Sequence, residues 1–235
     1  HLVTDEQIPE HLPITRIVDP YLTRDMTNYV IMAIMMHQRS MLSLIKNQQE
    51  AQWDRIPYND LKVGVLGLGE LGGHCAQHLA HLGFETLGFS RTPKKISGVE
   101  TFSGDQMANF LEHLDVLVNL LPVTPTTESI LNARLFEQMK KGAYLMNVAR
   151  GNHLVEEDLL KALDKGQLSG ATLDVFREEP LPQDNPLWQH PKVMITPHVA
   201  SVTTPASALE LLRTNINKLL EGQELLHLVD RSAGY

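Results

Sequence analysis

Apolar residues along this chain fall into two rhythms that meet near Pro57. After it, short apolar runs alternate with amphipathic stretches of about ten residues. Lys62–Leu66, Glu85–Phe89, Asp115–Leu121, Ala143–Val148, Ala171–Val175 and Val193–Thr196 read as strands. Helices are expected from the glycine turn to Leu82, over Asp105–His113, Asn132–Lys140 and Glu156–Lys165, and over Thr203–Leu220. Glu156, Glu157 and Asp158 suit a helix N-terminus through its dipole and need no chemistry. Runs such as VLVNLL and AYLMNV are apolar at nearly every position, as strands buried on both faces must be. The expected class is α/β, a Rossmann-type doubly wound parallel sheet.

Before Pro57 the pattern differs. Asp25 to Gln52 holds neither glycine nor proline over 28 residues, and Met26, Val30, Ile34, Met41, Leu44 and Ile45 recur at helical spacing. One long helix is predicted. Its middle is apolar nearly all round, which calls for burial against a second partner, such as another subunit. Its methionines read as packing rather than as ligands. The first 20 residues, broken by Pro9, Pro13 and Pro20 around a β-like Ile14–Val18, look like the end of another unit.

Charge and composition narrow the function. With 20 Lys+Arg against 28 Asp+Glu the net charge is −8, which disfavours a nucleic-acid backbone as partner. The single cysteine, Cys75, excludes a disulfide within the chain, and its place on an apolar stripe reads as a small buried residue. No run spans a bilayer and no leader pattern opens the chain, so a cytoplasmic location is expected. His74, His78 and His81 share a helix face about 100° from the Leu71, Cys75, Leu79, Leu82 stripe. They are expected to face solvent, with no metal site, because nothing completes a ligand set.

Gly67-Leu68-Gly69-Glu70-Leu71-Gly72 is a G-x-G-x-x-G between a predicted strand and a predicted helix. In that context Gly67 allows the tight turn, Gly69 lets the backbone approach a pyrophosphate, and Gly72 allows close helix–strand packing. The second strand runs into Ser90 and Arg91, with Lys94 and Lys95 close behind. An acidic residue there would hold ribose hydroxyls and repel a 2′-phosphate; a hydroxyl and a guanidinium would bind that phosphate. NADP(H) is therefore expected over NAD(H), the alternative being a solvated basic loop.

Three polar residues follow predicted strands: Arg150 after AYLMNV, Glu179 after ATLDVF, His198 after VMIT. Ligands bind at the carboxyl ends of strands in open α/β sheets. The set suits hydride transfer to a 2-oxo acid. Arginine would hold the carboxylate, histidine would give a proton, and glutamate would orient the imidazole and favour its charged form. Spacing alone leaves each open to a reading as a loop charge or a helix cap.

The segments VGVLGLGELG, NLLPVTPTTESILN, GAYLMNVARGNHLVEEDLLKALDKGQLSGATLDVFREEPLP and NPLWQHPKVMITPHVA carry a resemblance to the D-isomer-specific 2-hydroxyacid dehydrogenases, from about Ile14 to the C-terminus. The Ser-Arg loop and NPLWQHP are most similar to the glyoxylate/hydroxypyruvate reductase branch. The resemblance implies substrate binding by Arg150, acid/base catalysis by His198 and pairing with it by Glu179. It implies cofactor contact by Gly67, Gly69, Glu70, Leu71 and Gly72, by Ser90, Arg91, Lys94, Leu121, Pro122, Val148 and Ala149, by Asp174 near the nicotinamide carboxamide, and by His198. It implies a small 2-oxo acid substrate and a homodimer through the helix at 25–52. Residues 21–202 would form the cofactor domain. Residues 1–20 and 203–235 would be remnants of a second, flavodoxin-like substrate domain, so that this piece binds NADP(H) but turns over poorly or not at all. The alternatives are a nucleotide-sensing, corepressor-like protein on the same fold, or a dehydrogenase with another substrate preference.

Overall fold

The short apolar runs pair side by side, all parallel. The strands are β1 (Lys62–Leu66), β2 (Glu85–Ser90), β3 (Val99–Ser103), β4 (Val116–Asn119), β5 (Ala143–Asn147), β6 (Leu168–Leu173) and β7 (Val193–Ile195), in the order β3-β2-β1-β4-β5-β6-β7. The structure is a computed structural model that describes residues 7–9, 11–17, 20–203 and 205–229. The expected ends of the chain, including Val18, Thr204 and 230–235, lie partly outside the described residues.

Side chains alternate between the two faces of the sheet, and each face has its own core. Leu66, Leu117, Leu145 and Leu173 pack with α4 (Met107–Leu111), α5 (Ala133–Gln138) and α6 (Glu156–Asp164). Val63, Val65, Val118 and Met146 pack with α1 (Pro20–Gln38) and α3 (Glu70–His81). The chain leaves β1 toward β2 and β3, then returns to β4 on the other side. That reversal opens a crevice above β1 and β4.

Register decides what lies along the crevice. Phe89 pairs with Leu66, Leu66 with Asn119, Asn119 with Asn147, Asn147 with Leu173, and Leu173 with Ile195. The strands therefore end level. The residues that follow, among them Ser90, Gly67, Val148, Asp174 and Thr196, emerge in one row.

Three expectations need correction. The long helix is two: α1 begins at Pro20, where proline suits the first helical turn, and ends at Gln38. Ser40 then takes a left-handed conformation (φ 52°) before α2 (Met41–Gln49). His37, near the end of α1, stacks on Tyr144 with ring centroids 3.8 Å apart, and α2 buries none of its side chains. Second, β3 was not foreseen, because an edge strand half open to water has no apolar run, only VETFS. Third, His74 and His78 are only partly turned to solvent. α1 lies across that face of α3, and His74 Nδ1 is 2.8 Å from the Thr27 hydroxyl. His78 Nδ1 is 2.8 Å from the His74 carbonyl, and the two rings stack. Burial, then the neighbouring His78, lowers the His74 pKa. Cys75 is buried as expected, and burial pushes its thiol up to about 12.

The two ends of the described chain meet. Thr15 bridges Leu228 in antiparallel fashion, flanked by Arg16 N–H to the His227 carbonyl (3.0 Å) and Val229 N–H to the Ile14 carbonyl (2.8 Å). The last helix, α7 (Pro205–Leu220), exposes Leu209, Leu212, Ile216, Leu219 and Leu220. Among the described residues no helix is long and apolar enough to cross a membrane.

Candidate active site

The glycine turn closes on its neighbours as its sequence requires. Gly67 has φ 103° and gives its N–H to the Phe89 carbonyl at 2.9 Å, tying β1 to β2. A Cβ on Gly72 would sit 1.8 Å from the Gly67 carbonyl oxygen, so α3 can approach β1 only with glycine there. A Cβ on Gly69 would meet nothing within 4 Å. Gly69 opens α3 without a side-chain cap, which leaves the first N–H groups of the helix facing open space. Donors without partners at a helix start, beside room made by a missing side chain, fit a pyrophosphate.

At the end of β2, Ser90 is buried and its hydroxyl donates to the Thr92 carbonyl at 2.7 Å. Its hydrogen is thus used within the loop. A phosphate at this corner would lean on the guanidinium of Arg91 and the ammonium of Lys94, both on exposed residues. The Lys94 carbonyl is held to β3 by the Thr101 hydroxyl at 2.7 Å.

The three predicted catalytic residues emerge from β5, β6 and β7. His198 Nδ1 lies 2.7 Å from Glu179 Oε2. Glu179 Oε1 accepts the Phe176 N–H at 2.9 Å, which holds the carboxylate in place. Burial pushes the Glu179 pKa upward. The His198 hydrogen bond, the Phe176 amide and the charges of His198 and Arg150 outweigh that, so the net shift is downward. Arg150, on the turn after β5, is exposed and gives one hydrogen bond to the Ala149 carbonyl at 2.6 Å.

Asp174 anchors the histidine loop. It is 1 % exposed, and its carboxylate accepts the Thr196 hydroxyl (2.5 Å) and the N–H groups of Val199 and Ala200 (both 2.9 Å). Its backbone carbonyl accepts the His198 N–H at 2.8 Å. These bonds hold His198 at φ 55°, a conformation a non-glycine residue adopts only when its surroundings impose it. Thr196 also meets the Tyr29 hydroxyl of α1, at 2.5 Å. Because Thr196 donates to Asp174, Tyr29 is the donor to Thr196. Burial, first among several causes, pushes the Tyr29 pKa up to about 12.

Sequence reasoning missed Tyr29 and Thr196, and also Asn119, Asn147 and His153. Those last three are fully buried beneath Leu121, Pro122 and the Val148–Arg150 turn. Tyr29 left no signal, since its partner is 167 residues away. The asparagines did leave one, as each is the polar last residue of an apolar strand.

An open parallel sheet with a phosphate-ready glycine turn and an Arg–Glu–His set along its carboxyl edge defines a dinucleotide-binding dehydrogenase domain. A family model described as "D-isomer specific 2-hydroxyacid dehydrogenase, NAD binding domain" matches residues 31–200. Glyoxylate/hydroxypyruvate reductase A of Serratia proteamaculans is 44% identical over 232 residues, covering 97% of this chain and 74% of that protein. A D-isomer specific 2-hydroxyacid dehydrogenase from Xanthobacter autotrophicus Py2, solved with NADPH and MES, has a TM-score of 0.95 at 38% identity, covering 100% of this chain and 98% of that one. An NADPH-dependent glyoxylate/hydroxypyruvate reductase from Sinorhizobium meliloti, solved with NADP and sulfate, has a TM-score of 0.95 at 36% identity, covering 100% of this chain and 77% of that one. The chain belongs to the D-isomer specific 2-hydroxyacid dehydrogenases.

Proposed function

We propose that the protein reduces small 2-oxo acids, glyoxylate and hydroxypyruvate foremost, to 2-hydroxy acids with NADPH. The observation that carries this reading is the 2.7 Å His198–Glu179 pair at the carboxyl edge of the sheet, within the electrostatic reach of Arg150. NADPH, when bound, supplies the hydride. Arg150 would hold the substrate carboxylate through paired, charged hydrogen bonds. Glu179 engages Nδ1, so Nε2 is the nitrogen that would give its proton to the carbonyl oxygen. After that transfer the ring keeps its Nδ1 proton on Glu179 and stays oriented for the next cycle. Gly67 to Gly72 would hold the pyrophosphate, with Arg91 and Lys94 on the 2′-phosphate. Leu121, Pro122, Val148, Ala149, Asp174 and His198 would line the nicotinamide side.

The same proposal includes a homodimer built through α1 and α2, whose outer sides expose Met32, Met35, Met41, Leu42 and Ile45. It also includes a cytoplasmic location, and a second domain to which the paired ends at Thr15 and Leu228 and the leucines of α7 belong. The test is NADPH oxidation by the full-length protein with glyoxylate, hydroxypyruvate and pyruvate. Turnover with the first two supports the reading. Tight NADPH binding without oxidation of any of them overturns it in favour of a nucleotide-sensing protein.

A further inference from the structure

Asn119, Asn147 and His153 form a closed network under the crevice floor, at 0 % exposure each. Asn119 Nδ2 lies 3.0 Å from Asn147 Oδ1 and 2.9 Å from His153 Nδ1. Asn119 Oδ1 accepts the Leu121 N–H at 3.3 Å, and Asn147 Nδ2 donates to the Arg150 carbonyl at 3.1 Å. His153 Nε2 lies 3.2 Å from the Pro122 carbonyl.

Counting donors fixes the tautomer. Both hydrogens of the Asn119 amide are spent, one on Asn147 and one toward His153. Nδ1 of His153 must therefore be the bare nitrogen, and Nε2 carries the proton to Pro122. Turning the Asn147 amide over would set its oxygen against the Arg150 carbonyl, so its orientation is fixed as well. Burial, helped by the Arg150 charge and opposed by the backbone carbonyls of Pro122 and Arg150, lowers the His153 pKa, in keeping with a neutral ring.

We propose that His153 is a positioning residue with two separable arms. Its Nε2 arm holds the Leu121–Pro122 loop, on the cofactor side. Its Nδ1 arm, through Asn119 and Asn147, holds the turn that carries Arg150, on the substrate side. The inference rests on the site assignment made above.

Two substitutions divide the arms. Asn at 153 places an acceptor where Nδ1 was but cannot reach Pro122. Gln places an N–H where Nε2 was but leaves an Asn119 hydrogen unpaired. Loss of one such hydrogen bond should weaken the affected function roughly five- to tenfold. His153→Asn should raise the NADPH dissociation constant, read by nucleotide fluorescence, and leave the KM for the oxo acid near wild type. His153→Gln should do the reverse. Both constants moving together in both variants, or neither moving in either, overturns the proposal. The wild-type protein supplies a test that needs no variant. Its ¹⁵N spectrum should show His153 with a bare Nδ1 and a protonated Nε2, and the Nε2–H signal should shift when NADPH is added. A bare Nε2, or a signal that NADPH leaves unmoved, overturns it equally. Arg150→Gln separates the two levels: an unchanged KM there would remove the site assignment itself, whereas a raised KM with no split at His153 would remove only this inference.

Discussion

A single methyl group at Gly151 tests whether the arginine turn is locked to the loop that carries Glu179. A Cβ at this position would lie 1.8 Å from the Phe176 carbonyl carbon, 2.1 Å from its oxygen and 2.3 Å from the Arg177 nitrogen. All three are backbone atoms, so no side chain can swing aside. Ordinary contact begins near 3.4 Å, which leaves the two segments about 1.6 Å too close. Both are tethered, Gly151 by its carbonyl to Leu154 N–H at 3.0 Å and Phe176 by its N–H to Glu179 at 2.9 Å. Overpacking costs about 1–3 kcal/mol, and a backbone clash of this size belongs at the upper end. At about 2–4 °C per kcal/mol for a chain of this size, Gly151→Ala should lower Tm by about 6–12 °C. The turn bearing Arg150 must also move, and a displacement of about 1 Å in a positioning group can cost on the order of a hundredfold. The kcat/KM for glyoxylate should fall by about that factor. NADPH affinity should change less, because the glycine loop at the end of β1 is untouched and only Val148 and Ala149 of the proposed cofactor contacts lie on this turn. Thermal unfolding, steady-state kinetics and fluorescence titration measure the three quantities. A variant with wild-type Tm and kcat/KM would refute the claim that these two loops are in fixed contact.

Charge reversal at the end of β2 is a second check: Arg91→Asp should weaken NADPH binding far more than NADH binding, and equal losses would exclude a 2′-phosphate role. Tyr29→Phe removes the donor to Thr196 and should cost about 1 kcal/mol of loop order. It should appear as a several-fold drop in kcat with unchanged NADPH affinity; an unaltered kcat would mean that α1 does not support the histidine loop. The depressed pKa of Glu179 sets an acid limit. Its ionised pairing with His198 is fully present above the ordinary glutamate value of 4.5 and is lost only as pH falls through the lower value in the folded protein. The Glu179-dependent acid limb of kcat/KM should therefore have its midpoint below pH 4.5, and a midpoint clearly above it in wild type but absent from Glu179→Gln would contradict the assignment.

Much of the architecture could be read along the chain because its signals are local. Strands buried on both faces need continuous apolar runs, and β1, β4 and β5 have them. The glycine turn declares itself by spacing, since Gly72 answers to the Gly67 carbonyl five residues earlier and Gly67 takes a positive φ that glycine adopts freely. Edge strand β3 stayed hidden because water on one side relaxes the demand for apolar residues. The break at Ser40 stayed hidden because neither glycine nor proline marks it: a serine takes the left-handed conformation there.

By itself the sequence determined the alternation of strands and helices, the phosphate-ready turn, and the arginine, glutamate and histidine that follow three of the strands. Hydrophobic period, turn chemistry and residue type act over a few residues and survive in a one-dimensional pattern. Only the tertiary structure decided that the strands end level, that His198 meets Glu179 at 2.7 Å, and that Tyr29, Asp174 and His153 work beneath the site. Hydrogen bonds between buried groups depend on register and on loop paths across distant segments. Parallel pairing brings together segments that are far apart in the sequence.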